Sequence, residues 1–334
     1  MAGVVKPQAN WKDRTVLVTG ITGFVGSALA VRLMAAGARV VGLVLDEIPD
    51  SSLRQLGLGR RVIVVRGCLE DAALLGRTVA DHEPEVVYHL GAQAIVGTAM
   101  REPVDTFKAN IEGTWNMLEA CRGRRHVRAV VVASSDKAYG THTDLPYRED
   151  APLLPRYPYD VSKACADLLA RCYVATWGLP VVTTRFANIS GPGDLNFSRI
   201  VPDTVRAALE GRRPVIRSDG SPERDYLFID DAVDLYLRLA ERIEDTRGEA
   251  FNAGHGEPVR VLDLVRLIVR LAGRPDLEPE ILGAGTPAGE IDRQWLDASK
   301  AKRVLGWEPR VGLDEGLRRT IGWYRDALAG PGWR

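Results

Sequence analysis

An excess of charge of either sign is absent from this sequence: Lys and Arg together number 44, and so do Asp and Glu. No bulk field therefore favours nucleic acid or an anionic membrane surface. Cysteine is scarce, at four in 334 residues (Cys68, Cys121, Cys165 and Cys172). None has the CxxC spacing of a zinc or redox pair, so they read as small buried side chains and no metal is expected. No apolar run approaches the ~18 residues of a membrane span. The opening stretch, with Lys6, Asn10, Lys12, Asp13 and Arg14, lacks the apolar centre of a signal peptide. A reduced cytoplasmic setting is the default expectation. Low-complexity linkers and internal repeats are missing too.

What is present is an ordinary globular composition, 46% hydrophobic and 26% charged, over roughly two domains' worth of chain. Strand-length apolar runs at Thr15–Thr19, Val40–Val44, Val62–Val65, Val86–Leu90, Ala129–Ala133 and Val181–Phe186 alternate with helix-period stretches. Those stretches include Ser27–Ala36, Val104–Cys121 and Asp160–Thr176. Such alternation predicts βαβ units and an α/β fold, a doubly wound parallel sheet between two helix layers. Parallel strands share one carboxyl edge, where ligands bind. After Asn188 the texture changes to short helices, Gly/Pro breaks and isolated strands. Residues 12–187 thus read as a nucleotide-binding domain. Residues 188–334 read as a smaller, partly interleaved substrate domain, with a return strand at 249–253.

The segment V-L-V-T-G-I-T-G-F-V-G sets Gly20, Gly23 and Gly26 between the first strand and the first helix. Gly20 permits a tight turn, Gly23 leaves room for a pyrophosphate, and Gly26 allows close helix packing. The helix start then offers free N–H groups to phosphates. Asp46, twenty residues beyond Gly26, is placed to bind a ribose or to be a surface acid, because the usual strand-end position is Val44. No Arg follows that strand until Arg54, which favours NAD over NADP.

Tyr159 and Lys163, in Y-P-Y-D-V-S-K, are four apart and share a helix face. A lysine ammonium there would lower the phenol's pKa, which suits a tyrosine that exchanges a proton with a hydroxyl. In V-V-V-A-S-S-D-K-A-Y-G, Ser134 to Lys137 emerge at the carboxyl end of a buried strand. With the glycine loop, these segments follow the order found in short-chain dehydrogenases/reductases, and the chain resembles the extended members of that family from about Trp11 to Tyr324.

The resemblance implies a Rossmann domain with Tyr159 as acid/base, Lys163 as its electrostatic partner and nicotinamide-ribose contact, and Ser135 beside the reacting oxygen. It implies that Phe24 and Val25 meet the pyrophosphate through their backbones, and that Asn110 supports the lysine through a bound water. Leu90, Gly91, Ala92 and Gln93 of H-L-G-A-Q, and Leu69 of G-C-L-E-D, would line the cofactor and substrate; His89 reads as structural. Cys68 stands where relatives often have an aspartate. R-F-A-N-I-S-G-P-G-D looks like the sugar-nucleotide group's RxxNxYGPGD motif, with Ser190 in place of tyrosine. That likeness assigns Asn188 to a nucleotide-diphosphate sugar, with Arg199, Arg217, Arg224 and Glu290 in the same substrate set. Arginine's forked donors suit diphosphate oxygens.

Asp136 sets the expected reaction. Four-position epimerases of this group need only the hydroxyl and tyrosine, whereas 4,6-dehydratases need an acid beside the C6 hydroxyl. A carboxyl group after Ser135 makes dehydration the expectation. Lys137 departs from the Asp-Glu pair of dTDP-glucose 4,6-dehydratases, whose Glu is the C5 base. S-D-K instead resembles CDP-glucose 4,6-dehydratase-like proteins, with GDP-mannose 4,6-dehydratase more distant. A neutral Lys137 could take the C5 proton, or could turn away and order its loop. A 4-epimerase and a noncatalytic NAD-binding protein are the competing readings, and a homodimer is implied by resemblance alone.

Overall fold

The computed structural model describes residues 11–46, 61–287 and 289–329. The residues before Trp11, and Arg54, lie outside them, so the readings placed there concern undescribed residues. No helix among the described residues is long and apolar enough to cross a membrane.

The strands are β1 (Thr15–Thr19), β2 (Arg39–Val44), β3 (Ile63–Arg66), β4 (Val86–His89), β5 (Ala129–Ala133) and β6 (Val181–Phe186). Their runs of Val, Leu and Ile suit a sheet covered on both faces, where alternation gives way to continuous apolar sequence. Successive residues still face opposite layers. Val16 and Val18 pack with Leu29 and Leu33 of the Phe24–Ala35 helix. Leu17, between them, packs with Leu75, Val79, Met117 and Leu118 on the other side.

Beyond β6 lie β7 (Asn188–Ser190), β8 (Val215–Ile216), β9 (Glu223–Arg224) and β10 (Tyr226–Phe228). They are followed by β11 (Ala250–Ala253), β12 (Val259–Arg260), β13 (Glu280–Ile281) and β14 (Arg293–Gln294). Most form two- and three-stranded pieces, with β9 between β12 and β14. β11 instead joins the large sheet, parallel to β6 with Phe251 opposite Thr184. The large sheet has the order β11-β6-β5-β4-β1-β2-β3, all parallel. A separate core of Val201, Val205, Leu264, Ile268, Leu317 and Tyr324 supports the later segments.

Strand order reverses between β1 and β4, so their loops run to opposite sides and open a crevice at the carboxyl edge. This placement brings the glycine loop, the end of β5 and the Pro158–Trp177 helix toward one region. The cysteines correct one expectation. All four are free, yet only Cys121 is buried; Cys68 and Cys165 are partly covered, and Cys172 is exposed.

Candidate active site

The glycine loop is built by close approach. Gly20 has φ +68°, a conformation that disfavours side chains. A Cβ there would lie 2.8 Å from the Gly91 amide. A Cβ on Gly26 would overlap the Gly20 carbonyl, so the helix packs directly on the loop. Gly23 caps that helix with no side-chain hydrogen bond. The first-turn amides, from Phe24 and Val25, have no acceptor within the helix and can serve a phosphate. The Phe24 side chain is buried in the core, so only its backbone faces that task.

Around this loop the neighbouring strand ends are pinned. Gly91 N donates to Thr19 Oγ1 at 2.9 Å. His89 lies 3.1 Å from Thr19 Oγ1 through Nδ1 and 3.1 Å from Thr114 Oγ1 through Nε2. Thr114 spends its own proton on Asn110 O. His89 must therefore donate from Nε2 and accept at Nδ1, a neutral tautomer. Burial keeps it neutral, lowering its pKa to about 3. His89 is thus a structural clamp. Leu69 is buried under Gly91 and Gly113, with its carbonyl accepting from Asn116. Leu90 and Ala92 are partly buried on the same edge, while Asp46 is exposed, two residues past the end of β2.

Asn110 lies in a π-helical turn, Lys108–Glu112, within the helical stretch from Pro103 to Cys121. Its amide accepts from Gln93 N at 2.7 Å and donates to Gln93 O and Ser162 Oγ, each at 2.9 Å. Its direct partners are therefore the β4 loop and the helix of Tyr159, not Lys163 itself. The Gln93 side chain folds back onto Ile95.

Tyr159 and Lys163 fall on the first turns of the Pro158–Trp177 helix, which Pro158 helps to start. Lys163 is 6% exposed, and its Nζ donates to Ala133 O at 2.8 Å, at the end of β5. Burial lowers its pKa to about 8. The ammonium lies 5.9 Å from the Tyr159 ring centroid. The expected lowering of the tyrosine is not what the structure shows. Burial dominates and pushes the phenol up to about 12, against a smaller opposing effect of hydrogen bonding with Ser135. Burial of the phenol outweighs the groups that would lower it, which explains the difference.

Asp136 and Lys137 sit on a short 3-10 turn, Asp136–Tyr139, capped by Ser135, whose Oγ accepts from Lys137 N. Ser135 Oγ donates to Asp136 Oδ1 at 3.0 Å. Asp136 is 5% exposed, and its Oδ2 has no partner among the described residues. Burial raises this carboxyl to about 6, although Lys137 opposes the shift.

Lys137 Nζ donates to Glu290 Oε2 at 2.9 Å, and Arg224 reaches the same oxygen at 3.2 Å. Arg224 is nearly buried and also donates to the Glu223 and Asp292 carbonyls. Three predicted residues from distant segments thus converge. The rest of the substrate set is looser. Arg199 pairs with Asp194 at 3.0 Å and is near enough to act on Tyr159. Asn188 is exposed and donates to Asp225 O, and Arg217 is exposed outside the network.

Several supporting residues were missed at the sequence level. Arg185 and Asp167, both fully buried, form a two-point ion pair, with Nε to Oδ2 at 2.8 Å and Nη2 to Oδ1 at 3.0 Å. Arg185 also donates to Tyr139 OH, which donates to Asn252 on β11. The network ties the helix of Tyr159 to the turn carrying Asp136. Arg185 is the first residue of the R-F-A-N-I-S-G-P-G-D motif, and only that motif hinted at it. Asp225, beside Arg224, accepts from the His255, Gly256 and Leu296 amides. Asp160 is also buried and is taken up below.

Comparison with known proteins agrees with this geometry. The family model described as GDP-mannose 4,6 dehydratase matches residues 17–320. A UDP-glucose 4-epimerase of Mycolicibacterium smegmatis is 34% identical, covering 93% of this chain and 98% of its own. A CDP-glucose 4,6-dehydratase of Salmonella typhimurium is 31% identical, covering 96% of this chain and 93% of its own. Among solved structures, the dTDP-glucose 4,6-dehydratase DesIV of Streptomyces venezuelae, with NAD bound, superposes with a TM-score of 0.84. Its identity is 28%, over 93% of this chain and 97% of that one.

Proposed function

The chain belongs to the GDP-mannose 4,6-dehydratase family, and on that premise we propose that it is an NAD-dependent nucleotide-sugar 4,6-dehydratase. The product would be a nucleotide-linked 4-keto-6-deoxyhexose. The observation that carries this reading is Asp136, a buried carboxyl with one unpartnered oxygen directly beside Ser135. A carboxyl raised to about 6 retains protons that an ordinary aspartate would lose. That property suits an acid that protonates a leaving hydroxyl.

The residues present fit NAD. Closely packed Gly20 and Gly26, and a helix start at Gly23 without a side-chain cap, suit a pyrophosphate. When bound, NAD supplies the hydride acceptor at C4 and the hydride donor at C6, and its positive ring joins Lys163 in favouring the Tyr159 phenolate. Tyr159 takes the C4-hydroxyl proton, with Ser135 donating to the same oxygen. Lys163, held against Ala133 O, keeps its charge fixed near the phenol. The resulting ketone acidifies C5–H, and Asp136 protonates the C6 hydroxyl as it leaves. Arg224 presents its guanidinium to the diphosphate, with Arg199, Asn188 and Gln93 as further contacts. Lys137 enters as the partner of Glu290, to which its Nζ donates, rather than as the base.

A division at residue 187 into cofactor and substrate parts belongs to the same proposal, as does a cytoplasmic setting. So does a homodimer, supported by Val104, Trp115, Leu168 and Trp177 exposed on the Pro103–Cys121 and Pro158–Trp177 stretches. Light scattering tests the dimer. The test of function is a panel of CDP-, GDP-, UDP- and dTDP-hexoses analysed by mass spectrometry. Loss of one water supports dehydration. Unchanged mass with inversion at C4 would make the chain an epimerase.

A further inference from the structure

Dehydration needs a base at C5 as well as an acid at C6. Lys137 stands next to Asp136, but its ammonium is engaged with Glu290. The structure offers another group, on the helix that packs against the turn carrying Asp136 and Lys137. Asp160 follows Tyr159 on the first turn of the Pro158–Trp177 helix and is 1% exposed. Neither of its carboxylate oxygens has a hydrogen-bond partner among the described residues. Three other buried aspartates are provided for. Asp194 accepts from Asn196 N and Arg199, Asp225 from three amides, and Asp231 from the Arg310 and Val311 amides.

A buried carboxylate with no donor but its own backbone N–H is costly, and such groups concentrate where chemistry uses them. Asp160 adjoins Tyr159 on a helix packed against the turn of Asp136 and Lys137, and the charges of Lys137, Glu290 and Asp136 act on it.

We propose that Asp160 is the base that removes the C5 proton of the 4-keto sugar. The assignment rests on the dehydratase reading. In the step, C5–H breaks and its proton passes to the Asp160 carboxylate. The released electron pair forms C5=C6, C6–O breaks, and the oxygen departs as water with the proton of Asp136. No electrons are gained or lost by the protein. Burial raises the Asp160 carboxyl to about 7, making its anion a stronger base than an exposed carboxylate while a large share stays ionised near neutrality. Lys137 then keeps its ion pair with Glu290.

The test uses the full chain with CDP-glucose, GDP-mannose, UDP-glucose and dTDP-glucose, each in D₂O. Proton NMR follows C5–H, nicotinamide absorbance follows the hydride, and mass follows water. Asp160→Asn is expected to melt no lower than the wild type and to form the 4-keto sugar at a comparable single-turnover rate. Its sugar keeps the C5 hydrogen, and dehydration falls by at least about 100-fold. Asp160→Glu restores part of the exchange, and Lys137→Ala still exchanges C5.

Three results overturn the assignment: exchange at the wild-type rate in Asp160→Asn, loss of 4-keto sugar in that variant, or loss of exchange in Lys137→Ala alone. Should Asp160→Asn not fold, Asp160→Ala decides by the same exchange, and a wild-type rate in it counts against the proposal. If the wild type dehydrates and Asp160→Asn does so equally, only the base assignment fails. If the wild type dehydrates none of the sugars, the dehydratase reading fails and this assignment with it.

Discussion

Two aspartates on one helix show how this fold treats buried charge. Asp167 and Asp160 are seven residues apart on the Pro158–Trp177 helix, two turns and nearly one face, and both are almost wholly buried. Asp167 is paired on both oxygens, with Arg185 at 2.8 and 3.0 Å and with Arg171 at 3.0 Å. Asp160 has no such donor among the described residues. The first arrangement is structure: removing either partner would leave an uncompensated charge. The second is left with its place in the first helical turn, its own backbone N–H and the charge of Lys137. Burial alone does not mark a functional carboxylate; the lack of side-chain donors is what sets Asp160 apart from Asp167.

The largest break in this comparison comes at the paired end. Asp167→Ala leaves Arg185 with only Tyr139 and the Glu149 carbonyl. It is expected to cost about 3–5 kcal/mol of stability, read by urea denaturation, whereas Asp160→Asn costs none. A smaller loss than Asp160→Asn would reverse the contrast. Next, Asp136→Asn removes an acid without removing a structural pair. It should fold normally, still form the 4-keto sugar, and lose dehydration by about 100-fold; unimpaired loss of water would reject Asp136 as the acid. Arg224→Ala should raise KM by about tenfold with a smaller change in kcat, as expected for lost ground-state binding. An unchanged KM would detach Arg224 from the diphosphate.

The smallest effect is a pH dependence. The Asp136 and Asp160 carboxyls are raised from 3.8 to about 6 and about 7. Between 3.8 and these values the folded chain holds more protons than the unfolded one. Their contribution to stability therefore falls as pH rises through that window and is fully unfavourable above it. Asp160→Asn removes its share, so its melting temperature should exceed that of the wild type by a few degrees at neutral pH and match it near pH 3.8. Equal melting curves at both pH values would contradict the raised carboxyl.

How legible these features were in the sequence follows the range of the forces that set them. The runs of β1, β5 and β6 were visible to the residue, because a sheet buried on both faces needs continuous apolar sequence. The glycine loop was visible because backbone conformation and close approach dictate glycine locally. Arg185 with Asp167, and Lys137 with Glu290, were not, since the partners meet only through tertiary packing across 18 and 153 residues. Asp160 lay inside the Y-x-x-x-K spacing as an unmarked position, and only its burial and lack of partners gave it meaning. The tyrosine shift was misjudged because spacing predicts proximity to Lys163 but not the desolvation that outweighs it. Cys172 was misplaced for a related reason: composition favours burial, but its helix face is solvent-exposed.

The central claim, internal hydride transfer coupled to loss of water, is tested most directly by product mass and isotope content after wild-type turnover in D₂O. The account predicts a product lighter by one water, carrying solvent deuterium at C5, with no net consumption of NAD. A product of unchanged mass inverted at C4, or stoichiometric reduction of NAD without dehydration, would contradict it.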